Sequence, residues 1–237
     1  NRTIRRAVDA RVVALWPFNE GTGTAAGDAS GRGNGGALLN APTWTTGFSG
    51  RALEFDGTDD AVEVLHHSAL FPASVSVQAW VMLSSLVEGQ HVIDAADAAD
   101  PDASRYELAY GVSPGDKHFY FQVTRPYQGA MGSLLLVADA TTTSTDQWLH
   151  LAGVYDASSG ALQLYINGEL SAEDVLLQDD RWASTQNIYI GAGNEGSEHH
   201  FNGLIDGVSI VNYARSAAEI AAAADSDGDG FFDGWEV

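Results

Sequence analysis

The sequence predicts an all-β sandwich of antiparallel strands with a single short helix near its C-terminus. Three observations carry this. Short apolar, β-branched and aromatic runs recur from Val12 onward, clusters of Gly, Asp, Asn and Ser separate them, and several runs alternate apolar with polar residues. The first ten residues, NRTIRRAVDA, show no pattern and read as a linker or a lead-in strand. The strand-forming runs then follow as VVALWPF (12–18), RALEF (51–55), VSVQAWVML (75–83), RYELAY (105–110), HFYFQV (118–123), SLLLVA (133–138), WLHLAGVY (148–155), ALQLYI (161–166), NIYIG (187–191) and LIDGVSIV (204–211). In HFYFQV, Phe119, Phe121 and Val123 share one face and His118, Tyr120 and Gln122 the other. In ALQLYI, Leu162, Leu164 and Ile166 oppose Gln163 and Tyr165. Such alternation puts one face in a core and the other toward water. DASSG (156–160) and Asn167-Gly168 supply turns on either side of ALQLYI. The helical stretch is RSAAEIAAAA (215–224). Ser216 with Glu219 three residues on forms a capping box, so Ser216 is the N-cap and Ala217 the first helical residue, and the run Ala221 to Ala224 sustains the helix.

Size and composition fit one large domain. The 237 residues suffice for a sandwich without staples, and there is no cysteine, hence no disulfide. Lys+Arg number 11 against Asp+Glu 32, a formal net charge of −21. Such a surface repels nucleic acid and anionic membranes, so neither is expected as a partner. No apolar run approaches the roughly 18 residues of a membrane span. The acidity suits a secreted or cell-surface setting rich in calcium or salt. The chain opens on Asn1 and reads as a segment of a longer protein whose targeting sequence lies elsewhere. Its expected organisation is a lead-in at 1–10, the sandwich at 11–224, and a calcium-binding loop at 225–237 that starts a further segment.

That last segment, DSDGDGFFDGWEV, carries the most specific spacing in the chain. Asp225, Asp227, Asp229, Gly230, Asp233 and Glu236 stand at positions 1, 3, 5, 6, 9 and 12 of an EF-hand-type loop. Calcium takes several hard oxygens. Alternate carboxylates aim at one point, Gly230 permits the turn, the carbonyl of Phe231 is the seventh-position ligand, and Glu236 closes the shell. Ca2+ is therefore the expected cofactor.

WPFNEGTG (16–23), DASGRGNGGAL (28–38), ALEFDGTDDAVEV (52–64), VSVQAWV (75–81), WLHLAGVYD (148–156), LYINGE (164–169) and FNGLIDGVSIVNYARSAAEI (201–220) together resemble the successive blocks of LamG-like, concanavalin A-like jelly rolls, from about Val12 to Ile220. The tail is similar to thrombospondin type 3-like, aspartate-rich calcium motifs that follow such domains in secreted bacterial proteins. The resemblance implies two packed antiparallel sheets, one curved to leave a concave face. It also implies a structural calcium away from that face, at positions matching Glu20, Asp28, Asn34 and Asp206. The residues support this in part: Asp28 and Asn34 sit in a Gly-rich loop that either folds around an ion or simply turns, and Asp206 interrupts an apolar strand and wants a partner.

The concave face is the candidate ligand surface. Alternation puts Arg105 and Glu107 on the polar face of one strand, His118, Tyr120 and Gln122 on that of the next, with Gln163 and Tyr165 as further members. A mixture of Tyr, Arg, Glu, Gln and His suits a glycan, since sugars take flat aromatic surfaces against their CH faces and polar groups against their hydroxyls. Arg125 and Tyr127 are candidates for a rim. Trp44 and Trp182 lie in loop-like stretches and are candidates for ligand contact, whereas Trp16, Trp80 and Trp148 read as core or inter-sheet packing. His66-His67 and His199-His200 read as exposed polar pairs, because adjacent strand residues point oppositely and no third ligand stands at a recognisable spacing.

No strand carries Glu-x-Asp followed by Glu, the carboxylate pattern of laminarinase-type jelly-roll hydrolases; Glu63 in AVEV and Glu107 in RYELAY stand alone on their strands. RYEL (105–108) and Gln90-His91 resemble pieces of jelly-roll lyase sites, but in reversed order and without the Tyr-Lys-Ala-Gly block. The sequence therefore reads as a noncatalytic, calcium-stabilised carbohydrate-binding module of a secreted multidomain bacterial protein. Its partner would be a polysaccharide or other glycan. A laminin G-type protein-binding module is the second reading, and a lyase or hydrolase with a divergent site the third.

Overall fold

The computed structural model describes residues 9–95, 105–111, 116–127, 130–138, 144–175 and 185–224. The expected calcium loop at 225–237 and Trp182 lie outside the described residues. The strands are β1 (Val12–Trp16), β2 (Ala25–Ala26), β3 (Gly36–Leu39), β4 (Thr43–Thr46), β5 (Arg51–Asp56), β6 (Ala61–Val64), β7 (Val75–Leu83) and β8 (Gln90–Asp94). They continue as β9 (Arg105–Tyr110), β10 (Phe119–Tyr127), β11 (Ala130–Ala138), β12 (Leu149–Tyr155), β13 (Ala161–Ile166), β14 (Glu169–Val175), β15 (Ile188–Ile190) and β16 (Asn202–Val211), followed by helix α1 (Ala217–Ala224).

Two antiparallel sheets result. The first runs β14-β13-β12-β7-β16-β5-β4 with β1 added beside β16, and the second runs β11-β10-β9-β8-β15-β6-β3-β2. Half of the strand pairs join consecutive strands and half join strands distant in sequence, as in the jelly-roll sandwich the sequence predicts.

Alternation along each strand decides what fills the gap between the sheets. From the second sheet come Val62, Val64, Val92, Ile93, Tyr106, Leu108, Tyr110, Phe119, Phe121, Val123, Ile188 and Ile190. From the first come Leu53, Phe55, Val75, Val77, Ala79, Val81, Leu151, Leu162, Leu164, Ile205, Val208 and Ile210, with Trp16 fully buried beside them. The inward faces assigned to HFYFQV and ALQLYI are thus placed in the core apart from Ile166, which is partly buried against it. Tyr106 is fully buried and its hydroxyl donates to the Leu70 carbonyl at 2.9 Å, which satisfies the polar tip of a large core ring.

Local chemistry sets the ends of the elements. Ser216 Oγ accepts from Glu219 N at 3.3 Å while Glu219 Oε2 accepts from Ser216 N at 2.9 Å, the reciprocal capping box that starts α1. Ile220 then anchors the helix on Ala152, Val154 and Tyr165 on the outer face of the first sheet. Asn167 and Gly168 both adopt positive φ, 52° and 82°, and join β13 to β14 as the tight hairpin expected of Asn-Gly. Trp80 departs from the sequence reading. It is buried, but on the outer face of the first sheet, stacked on Phe48 with centroids 3.6 Å apart, because it alternates with the inward Ala79 and Val81. Trp148 meets the same Phe48 edge-on.

Candidate functional site

The outer face of the second sheet carries a line of polar side chains set by register. Glu63 on β6 stands opposite Tyr189 on β15, Tyr189 opposite Asp94 on β8, Asp94 opposite Glu107 on β9, and Glu107 opposite Gln122 on β10. One position along, His91 and Tyr120 both stand opposite Ala109. Each of these residues alternates with a core residue of its own strand, so the sheet's pleat turns them all away from the sandwich interior.

A bulge makes the line possible. His91 and Asp94 are three residues apart and would face opposite ways in a regular strand. The ladder slips between His91 and Ile93, Val92 and Ile93 both enter the core, and His91 and Asp94 emerge on the same side.

The line is recessed: Asp94 is 1% exposed, Tyr120 and Gln122 4%, His91 and Glu107 6%. Glu63 Oε1 accepts from Asn187 Nδ2 at 2.8 Å and from the Tyr189 hydroxyl at 2.9 Å. Burial, and the bond to Glu63, push the Tyr189 phenol up to about 12. His91 Nδ1 lies 3.4 Å from Asp94 Oδ2, and its Nε2 lies 3.4 Å from the Tyr120 hydroxyl. The His199 ring stacks on His91 at 4.8 Å, with its Nδ1 3.1 Å from the Gly89 carbonyl. Burial and the neighbouring His91 lower its pKa, so the neutral ring is favoured there. Beside this stack opens a cleft of about 300 Å³ walled by Val87, Gly89, Gln90, His199, His200 and Asn202.

Of the ligand residues expected from sequence, Glu107, Tyr120 and Gln122 come together here. Arg105 stands on β9 opposite Thr124. His118 precedes β10, half-exposed, with Nδ1 2.7 Å from Asp116 Oδ1. Tyr165 does not join them. It lies on β13 of the other sheet, packed under α1, and its hydroxyl donates to Gln163 at 3.0 Å. Alternation reveals which residues of a strand share a face, not which sheet that face belongs to. Trp44 is partly buried against the core and donates to the Gly23 carbonyl at 3.1 Å. Arg125 and Tyr127 lie on β10 at the end of its pairing with β11. His91, Asp94, Tyr189 and His199 are absent from the sequence-based ligand set.

The expected early calcium ligands are engaged within the protein. Asp28 Oδ1 accepts from the Leu15 and Ser30 amides at 3.1 and 2.9 Å, and Oδ2 from Ser30 Oγ and the Asn34 amide at 2.8 and 2.9 Å. Glu20 Oε1 accepts from Gly27 N at 2.7 Å, and Asn34 Nδ2 donates to the Val13 carbonyl at 2.7 Å. Asp206 sits on β16 and accepts from Ser49 N at 3.0 Å. A carboxylate holding four donors, as Asp28 does, has its lone pairs committed to the loop that it turns. Among the described residues, His, Asp and Glu ligand atoms gather in threes within 4.8 Å at His91/Asp94/Glu107 and at Asp56/Asp59/Asp60. Glu20, Asp28 and Asp206 belong to neither group.

The family model for the concanavalin A-like lectin/glucanases superfamily, Laminin_G_3, matches residues 56–221, and the chain belongs to this family. The sequence matches no protein of curated function. Among solved structures, the chain is similar to domain 4 of AbnA, a GH43 extracellular arabinanase from Geobacillus stearothermophilus, in complex with arabinotriose. The TM-score is 0.70 at 19% identity, covering 89% of this chain and 97% of that one. It is also similar to the binding domain of Paraclostridial Mosquitocidal Protein 1, with a TM-score of 0.70, 11% identity and coverage of 92% and 52%. The botulinum neurotoxin serotype D binding domain follows at 0.64, 15% identity and coverage of 91% and 51%. The chain thus spans about half the length of these two toxin chains. At these identities the likeness is one of fold.

Proposed function

We propose that this chain is a noncatalytic carbohydrate-binding module of a secreted multidomain bacterial protein, taking a polysaccharide on the outer face of its second sheet. The observation that carries this reading is the polar line from Glu63 to Gln122, with Tyr120 beside it, built by five strands on one face. Such a line mixes the carboxylates of Glu63, Asp94 and Glu107 with Tyr189 and Gln122, which can donate, a combination that suits sugar hydroxyls, and buried tyrosines add flat surface with a polar tip. The fold shared with an arabinotriose-bound domain supports the same reading. Net negative charge favours neutral over acidic polymers.

The test is a glycan array followed by calorimetry on the strongest hit, arabinan included. Tyr120→Ala and Gln122→Ala are each expected to weaken binding by about tenfold or more, as the loss of a stacking ring or a buried hydrogen bond implies, while leaving far-UV circular dichroism unchanged. Unaltered affinity in both variants, or release of oligosaccharide products by the wild type, overturns the proposal. Specific capture of a protein ligand with no glycan bound would favour the laminin G-type reading instead.

The calcium part of the proposal rests on the spacing of Asp225, Asp227, Asp229, Asp233 and Glu236. An isolated loop of this type is expected to bind with Kd of about 10⁻⁴–10⁻³ M. Calorimetric titration should show that binding, and Asp225→Ala with Glu236→Gln should remove it. A flat wild-type titration sinks the calcium assignment.

A further inference from the structure

We propose that His91, Asp94 and Glu107 bind one divalent transition-metal ion of the zinc class, a site separate from the C-terminal calcium loop that shares Asp94 and Glu107 with the polar line and needs no bound glycan. One nitrogen and two carboxylate oxygens from these residues lie within 4.8 Å of one another, and all three residues are buried. The bulge in β8 is what assembles them: it turns His91 to the side of Asp94, and register then sets Asp94 directly opposite Glu107.

The spacing is that of ligands around a small ion. Two donors each about 2.1 Å from a tetrahedral ion stand about 3.4 Å apart, and His91 Nδ1 is 3.4 Å from Asp94 Oδ2. The space in front of this pair is kept clear by Gly193. A Cβ at that position would lie 2.6 Å from His91 Nδ1 and 3.1 Å from Asp94 Oδ2, so any side chain would occupy the ion's place. The remaining ring nitrogen also has the partner that a ligating imidazole needs. Nε2 faces the Tyr120 hydroxyl at 3.4 Å, an oxygen able to accept the Nε2 proton when Nδ1 binds a metal, and the His199 ring stacks on the imidazole. Imidazole with two carboxylates suits a borderline ion, whereas calcium demands six to eight oxygens. Three protein ligands leave a fourth position for water or for a hydroxyl of a bound molecule.

The experiment uses the full chain, stripped with chelator and held in millimolar calcium so that oxygen-only sites are filled. Cobalt(II) is titrated in first and then displaced by zinc. One equivalent is expected, with the visible absorption of tetrahedral cobalt, bleached by zinc. His91→Ala and Glu107→Gln should each weaken zinc binding by more than about 100-fold, and Tyr120→Phe by about tenfold, as loss of an outer partner does. Gly193→Ala should abolish the cobalt band, and His66→Ala should leave it intact. Circular dichroism on each variant separates loss of the site from loss of the fold, with His91→Gln as the replacement if His91→Ala unfolds. The proposal fails if the wild type takes up no zinc under these conditions, or if folded variants at both position 91 and position 107 keep wild-type affinity.

Discussion

Replacing Gly153 with valine is expected to leave the chain unfolded at ambient temperature, and even Gly153→Ala should cost about 1–3 kcal/mol, the usual penalty of overpacking a core. Gly153 lies in the middle of β12, paired with Val77 and Leu164, with its α-carbon turned to the facing sheet. A Cβ there would stand 2.2 Å from Cδ2 and 2.4 Å from Cγ of Phe121. Phe121 is fully buried, so its ring has no free direction in which to retreat. The absence of a side chain on one sheet and a large ring on the other form a single interlocking contact. Urea denaturation of Gly153→Ala, Phe121→Leu and the double variant checks this. The two substitutions should be non-additive, with the smaller leucine side chain partly rescuing the alanine by about 1 kcal/mol or more. Strict additivity would mean that the two positions do not share that space.

The second large effect is on pH dependence. His150 on β12, Trp80 on β7 and Asp206 on β16 stand in one row across the outer face of the first sheet. Burial lowers the His150 imidazole to about 3, and burial raises the Asp206 carboxyl to about 7 against the opposing bonds from backbone amides. The signs are opposite. For Asp206 the folded state holds its proton more tightly than the unfolded chain, so its contribution is complete below about pH 4 and is lost as pH rises through 7. For His150 the unfolded chain binds the proton more tightly, so its contribution is complete above about pH 6.5 and is lost as pH falls toward 3. Asp206→Asn retains an acceptor for the Ser49 amide and removes the ionisation. It should therefore be more stable than the parent above pH 7, by an amount of the order of 4 kcal/mol. His150→Leu should resist acid better than the parent. Stability measured from pH 3 to 9 in all three proteins tests both; profiles parallel to the parent's would show that neither group is linked to folding.

Much of the architecture was legible in the sequence because the relevant signals are local. VSVQAWVML, RYELAY and ALQLYI form strands with the bounds their patterns suggest, and the Ser216–Glu219 box places the helix start at Ala217. Strand β8 is absent from the runs read in the sequence, because its bulge breaks the alternation, and so are the short strands β2, β3 and β4 and the polar edge strand β14. The short and edge strands bury too little apolar surface to leave a pattern, and in ELSAEDV no residue is fully buried. The site was harder for a different reason. Glu63 and Glu107 each stand alone on their own strands, and only the pairing of β6, β15, β8, β9 and β10 puts them in one line with Tyr189, Asp94 and Gln122. That register is a property of the assembled sheet. His91 and Asp94 were hidden further by the bulge, which breaks the period of two from which faces are assigned. Tyr165 shows the converse: its face was read rightly as outward, but the surface it joins is the one covered by α1.

The pairing of β1 with β16 sets Val12 directly across from Val211. Partners in such a ladder have their α-carbons only about 5 Å apart. The first and last strands therefore lie side by side in one sheet, and neither can peel away without opening the other's ladder.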